Sequence, residues 1–141
     1  MATTLRQAIE DRIRDQVSGL REVAGAADLQ SVLAGRITPP AAFVFRVQTR
    51  AGENSIVNGV DQRVTETYAV VIVTRNVRDP RGADSSDDNE ALASSVSTAL
   101  LGWQPASDAD PLEYDGGRLL SLSDGFLFWQ EAYRTARYRR A

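Results

Sequence analysis

The side chains available for chemistry in this chain are carboxylates, hydroxyls and arginines. None of its 141 residues is histidine, cysteine or lysine, and all 16 basic residues are arginine. That composition excludes a Ser-His-Asp or Cys-His constellation, a Schiff base, a thiolate nucleophile and a Cys/His zinc site. A hydrolase built from what remains would need two facing carboxylates, and no spacing singles out such a pair. The acidic stretch at residues 78–88 invites a metal. It departs from an EF-hand loop, with no glycine at the sixth position and no glutamate at the twelfth. Helix capping accounts for it more simply. Ser86 or Asp87 caps the following helix, and Asp88 and Glu90 suit its positive end. The residue types therefore point away from an enzyme and call for no metal and no cofactor.

What remains is binding and assembly. The exclusive use of arginine follows from GC-rich coding, or from a preference for arginine forks at interfaces. The net charge of −3 gives no general attraction to nucleic acid. Residues 134–140 hold four arginines around Tyr138. Such a segment is a charged edge that discourages aggregation, an arm that pairs with a neighbour, or a nucleic-acid contact. The first two readings rank ahead of the third, which predicts a salt-sensitive DNA affinity lost on deleting residues 137–141.

These side chains need a scaffold, and the best strand in the chain is its centre. Residues 64–77, VTETYAVVIVTRNV, are rich in β-branched and aromatic types and lack Gly and Pro. Residues 69–73 are apolar on both alternating sets, which places them mid-sheet with both faces covered. Residues 41–50 alternate, with Phe43, Phe45 and Val47 on one set, and read as a partner strand with one apolar face. A polar loop at 51–59 joins the two.

Around this pair the order is legible. Residues 4–17 form an amphipathic helix, with Thr4 and Gln7 as a capping box and Leu5, Ile9, Ile13 and Val17 as its stripe. Residues 20–24 make a short edge strand, and 26–33 a short helix burying Leu29, Val32 and Leu33. A helix over about 87–101 buries Leu92, Val96, Ala99, Leu100 and Trp103. Asp115-Gly116-Gly117 and Asp124-Gly125 read as hairpin turns separating three C-terminal strands. The expected core anchors are Val70, Ile72, Leu100, Trp103 and Trp129. The fold class is α+β: a mostly antiparallel or mixed sheet with two main helices packed on it, in a single domain spanning 1–141. No apolar run approaches the roughly 20 residues of a membrane span. The N-terminus lacks the pattern of a signal or transit peptide. With no cysteine for disulfides, cytoplasmic synthesis is the default.

The pieces together resemble the tail terminator (tail completion) proteins of long-tailed phages, the Gp37-like and U-like group. The resemblance rests on Pro40-Ala41-Ala42-Phe43-Val44, Gln62-Arg63-Val64-Thr65-Glu66, and Val73-Thr74-Arg75-Asn76. It continues through Leu100-Leu101-Gly102-Trp103-Gln104-Pro105, then Tyr114 with Gly116-Gly117-Arg118-Leu119, and Trp129-Gln130-Glu131-Ala132-Tyr133. It implies a structural virion protein. A hexameric ring would cap the tail tube, end its polymerisation and meet the head-side connector, with double-stranded DNA crossing the lumen without specific binding. The implied location is the neck of the virion, after synthesis in the bacterial host cytoplasm. A head–tail connector or stopper subunit is the alternative.

A ring needs contacts between unlike patches. The candidate interface is Arg46, Arg50, Arg75, Asn76, Arg78, Arg81, Asp84 and Asp87, with arginines of one copy facing carboxylates, Asp88 included, of the next. Residues 74–81 would be the part turned toward other subunits.

Overall fold

The computed structural model describes residues 3–75, 81, 83–123 and 125–141. The elements run α1 (Leu5–Gln16), β1 (Glu22–Gly25), α2 (Leu29–Ala34), β2 (Ala41–Asn54), β3 (Asp61–Arg75), α3 (Ala83–Leu100), β4 (Glu113–Ser123) and β5 (Phe126–Arg140). The strands form one sheet in the order β1-β2-β3-β5-β4. The β1–β2 pair is parallel and every other neighbouring pair is antiparallel. This is the expected α+β class, with a mixed, mostly antiparallel sheet.

β3 is the middle strand. Residues 68–74 are buried whichever way their side chains point, because each face of the sheet has its own cover. On one face Ala42, Val44, Tyr68, Val70 and Ile72 pack against α1 and α3. On the other, Ala41, Phe43, Phe45, Ala69, Val71 and Val73 pack with Val32 of α2 and with Phe128. The helix face is the larger core. It includes Leu5, Ile9, Ile13 and Val17 from the α1 side and Ala93, Val96, Ala99 and Leu100 from α3. Each fully buried aliphatic side chain there contributes about 1.5–3 kcal/mol.

Local chemistry sets the element ends. The Thr4 hydroxyl accepts from the Gln7 N–H at 3.1 Å, and the Gln7 carbonyl oxygen accepts from the Thr4 N–H at 2.9 Å. This closes the capping box that the sequence shows. Arg12 then joins the two long helices: its Nε donates to the Ala99 carbonyl at 3.0 Å, and its guanidinium lies 5.3 Å over the Trp103 ring.

Several expectations change. In α2, Val32 is buried but Leu33 is 40% exposed, because a six-residue helix turns only one narrow side to the sheet. β2 is not a strand with one apolar face. Its residues 41–45 are buried on both faces, and everything after them is exposed on both. The supposed loop at 51–59 begins as strand, since β2 continues to Asn54 and pairs with Gln62.

α3 starts at Ala83, before Ser86 and Asp87, so neither residue caps it. Its buried stripe opens with Ser85 and Asn89 in place of apolar residues. Finally, Asp115-Gly116-Gly117 is no hairpin turn. β4 runs through it, with a register shift between Tyr114 and Gly116 that marks a β-bulge. Gly116 takes the positive φ of 112° that this bulge requires. The chain therefore ends in two long strands, where two short ones and a long one were expected.

Candidate assembly surface

The expected interface residues divide between the two ends of the sheet. Arg46 stands opposite Tyr68 and Arg50 opposite Thr65. Arg75 is the last residue of β3, seven positions beyond Tyr68, or roughly 23 Å at strand rise. Arg81, Asp84 and Asp87 lie at that same far end, because the start of α3 is tied to the end of β3. The Thr74 hydroxyl lies 2.8 Å from the Ser85 hydroxyl and donates to the Ser85 carbonyl at 3.1 Å. Asn89 Nδ2 donates to the Ile72 carbonyl at 3.0 Å and to Thr74 Oγ1 at 3.2 Å. Asn76 and Arg78 lie outside the described residues. Within one chain, then, Arg46 and Arg50 do not meet Asp84 or Asp87.

The near end is an arm. Residues 46–59 are exposed throughout, and they pair with the first half of β3, which pairs in turn with the last third of β5. Most of the arm's charge is matched locally. Glu66, 2% exposed, sits between Arg137 at 3.4 Å and Arg46 at 4.0 Å. Arg63 pairs with Asp110 at 2.6 Å, Arg140 with Asp61 at 3.0 Å, and Arg134 with Glu113 and Asp115 at 3.2 and 3.1 Å. The four C-terminal arginines therefore belong to a paired strand. That pairing weakens the case for a free basic tail. Among the described residues Arg50 and Arg139 make no ion pair.

The arm's tip carries two apolar residues that sequence reasoning passed over. Ile56 is 45% exposed and Val57 95%. Asn54 fixes the loop: its Nδ2 donates to the carbonyls of Ile56 and Gly59 at 3.0 and 2.8 Å, and its Oδ1 accepts from the Asp61 N–H at 2.8 Å. The available signal was the apolar pair itself, set in an otherwise polar loop.

The far end has a groove of about 730 Å³ between α3 and the β4–β5 hairpin. Asn89 and Ala93 are too short to cover the sheet beyond β3, so Leu119, Leu122, Leu127 and Trp129 form an open apolar floor. A second bulge, between Leu119 and Ser121, brings Leu119 and Leu122 to the same face although they are three residues apart. Glu131 also lines the groove. It is 7% exposed; its Oε1 accepts from Trp129 Nε1 at 3.0 Å, and its Oε2 has no hydrogen-bond partner. Desolvation, then a hydrogen bond toward the Glu131 carboxylate that falls short of ordinary geometry and the charge of that carboxylate, push the Tyr114 phenol up to about 12.

Of the expected anchors, Val70, Ile72 and Leu100 have no solvent exposure. Trp103 and Trp129 are half-buried at the margin of the helix-side core. Among the described residues no group of three or more acidic side chains is placed to hold a metal ion. What the surface offers is two unlike, charged and apolar patches at opposite ends of one sheet.

The sequence matches the family model described as phage tail terminator protein over residues 2–141. Among solved structures, the fold is similar to a chain from the virion of a native gene transfer agent (GTA) particle. That match has a TM-score of 0.59 and 13% identity, and covers 96% of this chain and 95% of that chain. At this identity the likeness is one of fold. A sequence comparison with curated proteins gives no match.

Proposed function

Since the chain belongs to the phage tail terminator family, whose members are structural proteins of the tail and not enzymes, we propose that it forms a ring on the end of the tail tube. The ring is a hexamer of single-domain subunits. It ends tube polymerisation and presents its outer side to the head–tail connector. The partners are other copies of this chain, the tail tube protein and the connector proteins. Double-stranded DNA crosses the lumen without specific binding, consistent with the locally paired arginines of β5. The protein is made in the host cytoplasm and sits in the neck of the virion.

The observation that carries this reading is the family match over residues 2–141. The structure supports it in a second way. A ring of identical subunits needs two different patches on each copy, and this sheet carries them at its two ends. Arg46 and Arg50 of one copy, on the arm, would face Asp84, Asp87 and Asp88 of the next.

Mass photometry and negative-stain imaging of the protein, alone and with purified tail tubes, test the ring. A discrete six-fold particle is expected. A strict monomer that leaves tail tubes uncapped would remove the reading. Arg50→Glu reverses an exposed charge on the arm and is expected to weaken ring formation. Unchanged hexamers by light scattering would take Arg50 out of the interface.

A further inference from the structure

We propose that the groove between α3 and the β4–β5 hairpin is a socket for the β2–β3 hairpin tip of a second copy of this chain. This rests on the ring reading above and names the contact that closes the ring. The tip presents Ile56 and Val57 to solvent on a loop already fixed by Asn54. An exposed apolar pair on a preorganised loop returns nothing to the fold and loses little freedom on docking. The groove presents the complementary floor, with Leu119 54% and Leu122 42% exposed beside Trp129.

Polar groups match as well. Glu131 Oε2 is a buried acceptor that makes no hydrogen bond of ordinary geometry in its own chain, with the Tyr114 hydroxyl beside it, and such a group gains from a well-placed donor. The incoming tip brings backbone N–H groups and the Asn58 amide. The groove is lined by Glu90 and Glu131 with Arg81 at the helix start, and Asp87 and Asp88 lie on the same helix outside the lining; the arm brings Arg50 and Arg139, which lack ion pairs among the described residues.

The two patches cannot meet within one molecule. The tip adjoins Asp61, and the groove floor begins at Trp129, which stands opposite Ile72. Eleven residues of strand separate them, roughly 36 Å. Tip-to-socket contact is therefore between copies and joins unlike surfaces, the arrangement that closes into a ring.

The chain has no cysteine, so engineered thiols report this contact alone. Oxidised V57C/L119C protein is expected to give a ladder ending at the closed ring on a non-reducing gel. An equimolar mixture of V57C and L119C single variants is expected to give dimers and nothing larger. Val57→Asp, at a residue 95% exposed, is expected to keep the wild-type melting temperature and to raise the concentration needed for rings roughly tenfold or more. V57D rings at wild-type concentrations, or V57C cross-linked to the tail tube protein in place of a second copy, would overturn the socket and leave the ring standing. A wild-type protein that never forms rings would instead remove the ring reading, and the socket with it.

Discussion

Replacing Asn89 by alanine should loosen the end of α3 that carries Asp84 and Asp87. Asn89 is 3% exposed and donates to the Ile72 carbonyl at 3.0 Å and to Thr74 Oγ1 at 3.2 Å. Each buried hydrogen bond contributes about 1 kcal/mol net. Thr74 keeps its contacts with Ser85, so its hydroxyl is not stranded. Removal of the carboxamide leaves a small void, which adds a cavity cost. The sum is about 2–3 kcal/mol, equivalent to a melting temperature lowered by about 10 °C in a chain of this size. Urea unfolding of monomeric protein, followed by the fluorescence of Trp103 and Trp129, measures it. Ser86→Ala, exposed on the same helix, is the control and should change stability by less than about 0.5 kcal/mol. Asn89→Leu keeps most of the volume but cannot donate, so it separates hydrogen bonding from packing. If N89A matched S86A, the link between the start of α3 and the end of β3 would not depend on this side chain.

Two further perturbations probe the sheet. Burial pushes the Tyr133 phenol up to about 12, with the Ser97 hydroxyl acting the other way. A raised folded pKa means its contribution is complete below pH 10 and lost as pH rises through 12, at most about 2–3 kcal/mol. Tyr133→Phe should therefore flatten the alkaline limb of the stability curve between pH 10 and 12, and parallel limbs for the two proteins would refute this. Near pH 7 the same variant should lie within about 1 kcal/mol of wild type, because the hydroxyl makes no hydrogen bond of ordinary geometry. Gly117→Ala places a β-carbon 2.8 Å from the Tyr114 hydroxyl, 2.9 Å from Glu131 Oε2 and 3.1 Å from the Gln130 carbonyl oxygen. The first two atoms can swing aside and the third is backbone, so a loss of about 1–3 kcal/mol in urea is expected; wild-type stability would show that β4 gives way there.

How much of this was readable in the sequence depends on whether burial followed an apolar period. It did in α1, where the cap and the four-residue stripe agree, and in residues 69–73, where both alternating sets are apolar. It did not at the start of α3, where the buried positions are Ser85 and Asn89. There the helix packs through hydrogen bonds to β3, and composition reads as loop. Asp115-Gly116-Gly117 suits a tight turn or a bulge equally well, and what decided between them was a partner strand, β5, long enough to run past it. The four-residue parallel strand β1 gained its orientation from β2, which no local pattern encodes.

The arm was the hardest element to read, and the reason bears on the site. A strand solvated on both faces has no hydrophobic alternation, so residues 46–54 read as a strand end and a loop. Their order comes from the ladder to β3 and from β5 behind it. The ion pairs along the arm do not by themselves hold it, since exposed pairs contribute about 0–1 kcal/mol each. They do, however, remove most of the repulsion among seven arginines. The loop after α3 adds a tether, as Asp110 donates its N–H to the Ala136 carbonyl at 2.9 Å and pairs with Arg63. An arm held this way stays extended without an apolar core of its own. That leaves the valine at its tip free to bind elsewhere, and leaves the charged residues that lie near each other in sequence at opposite ends of the sheet.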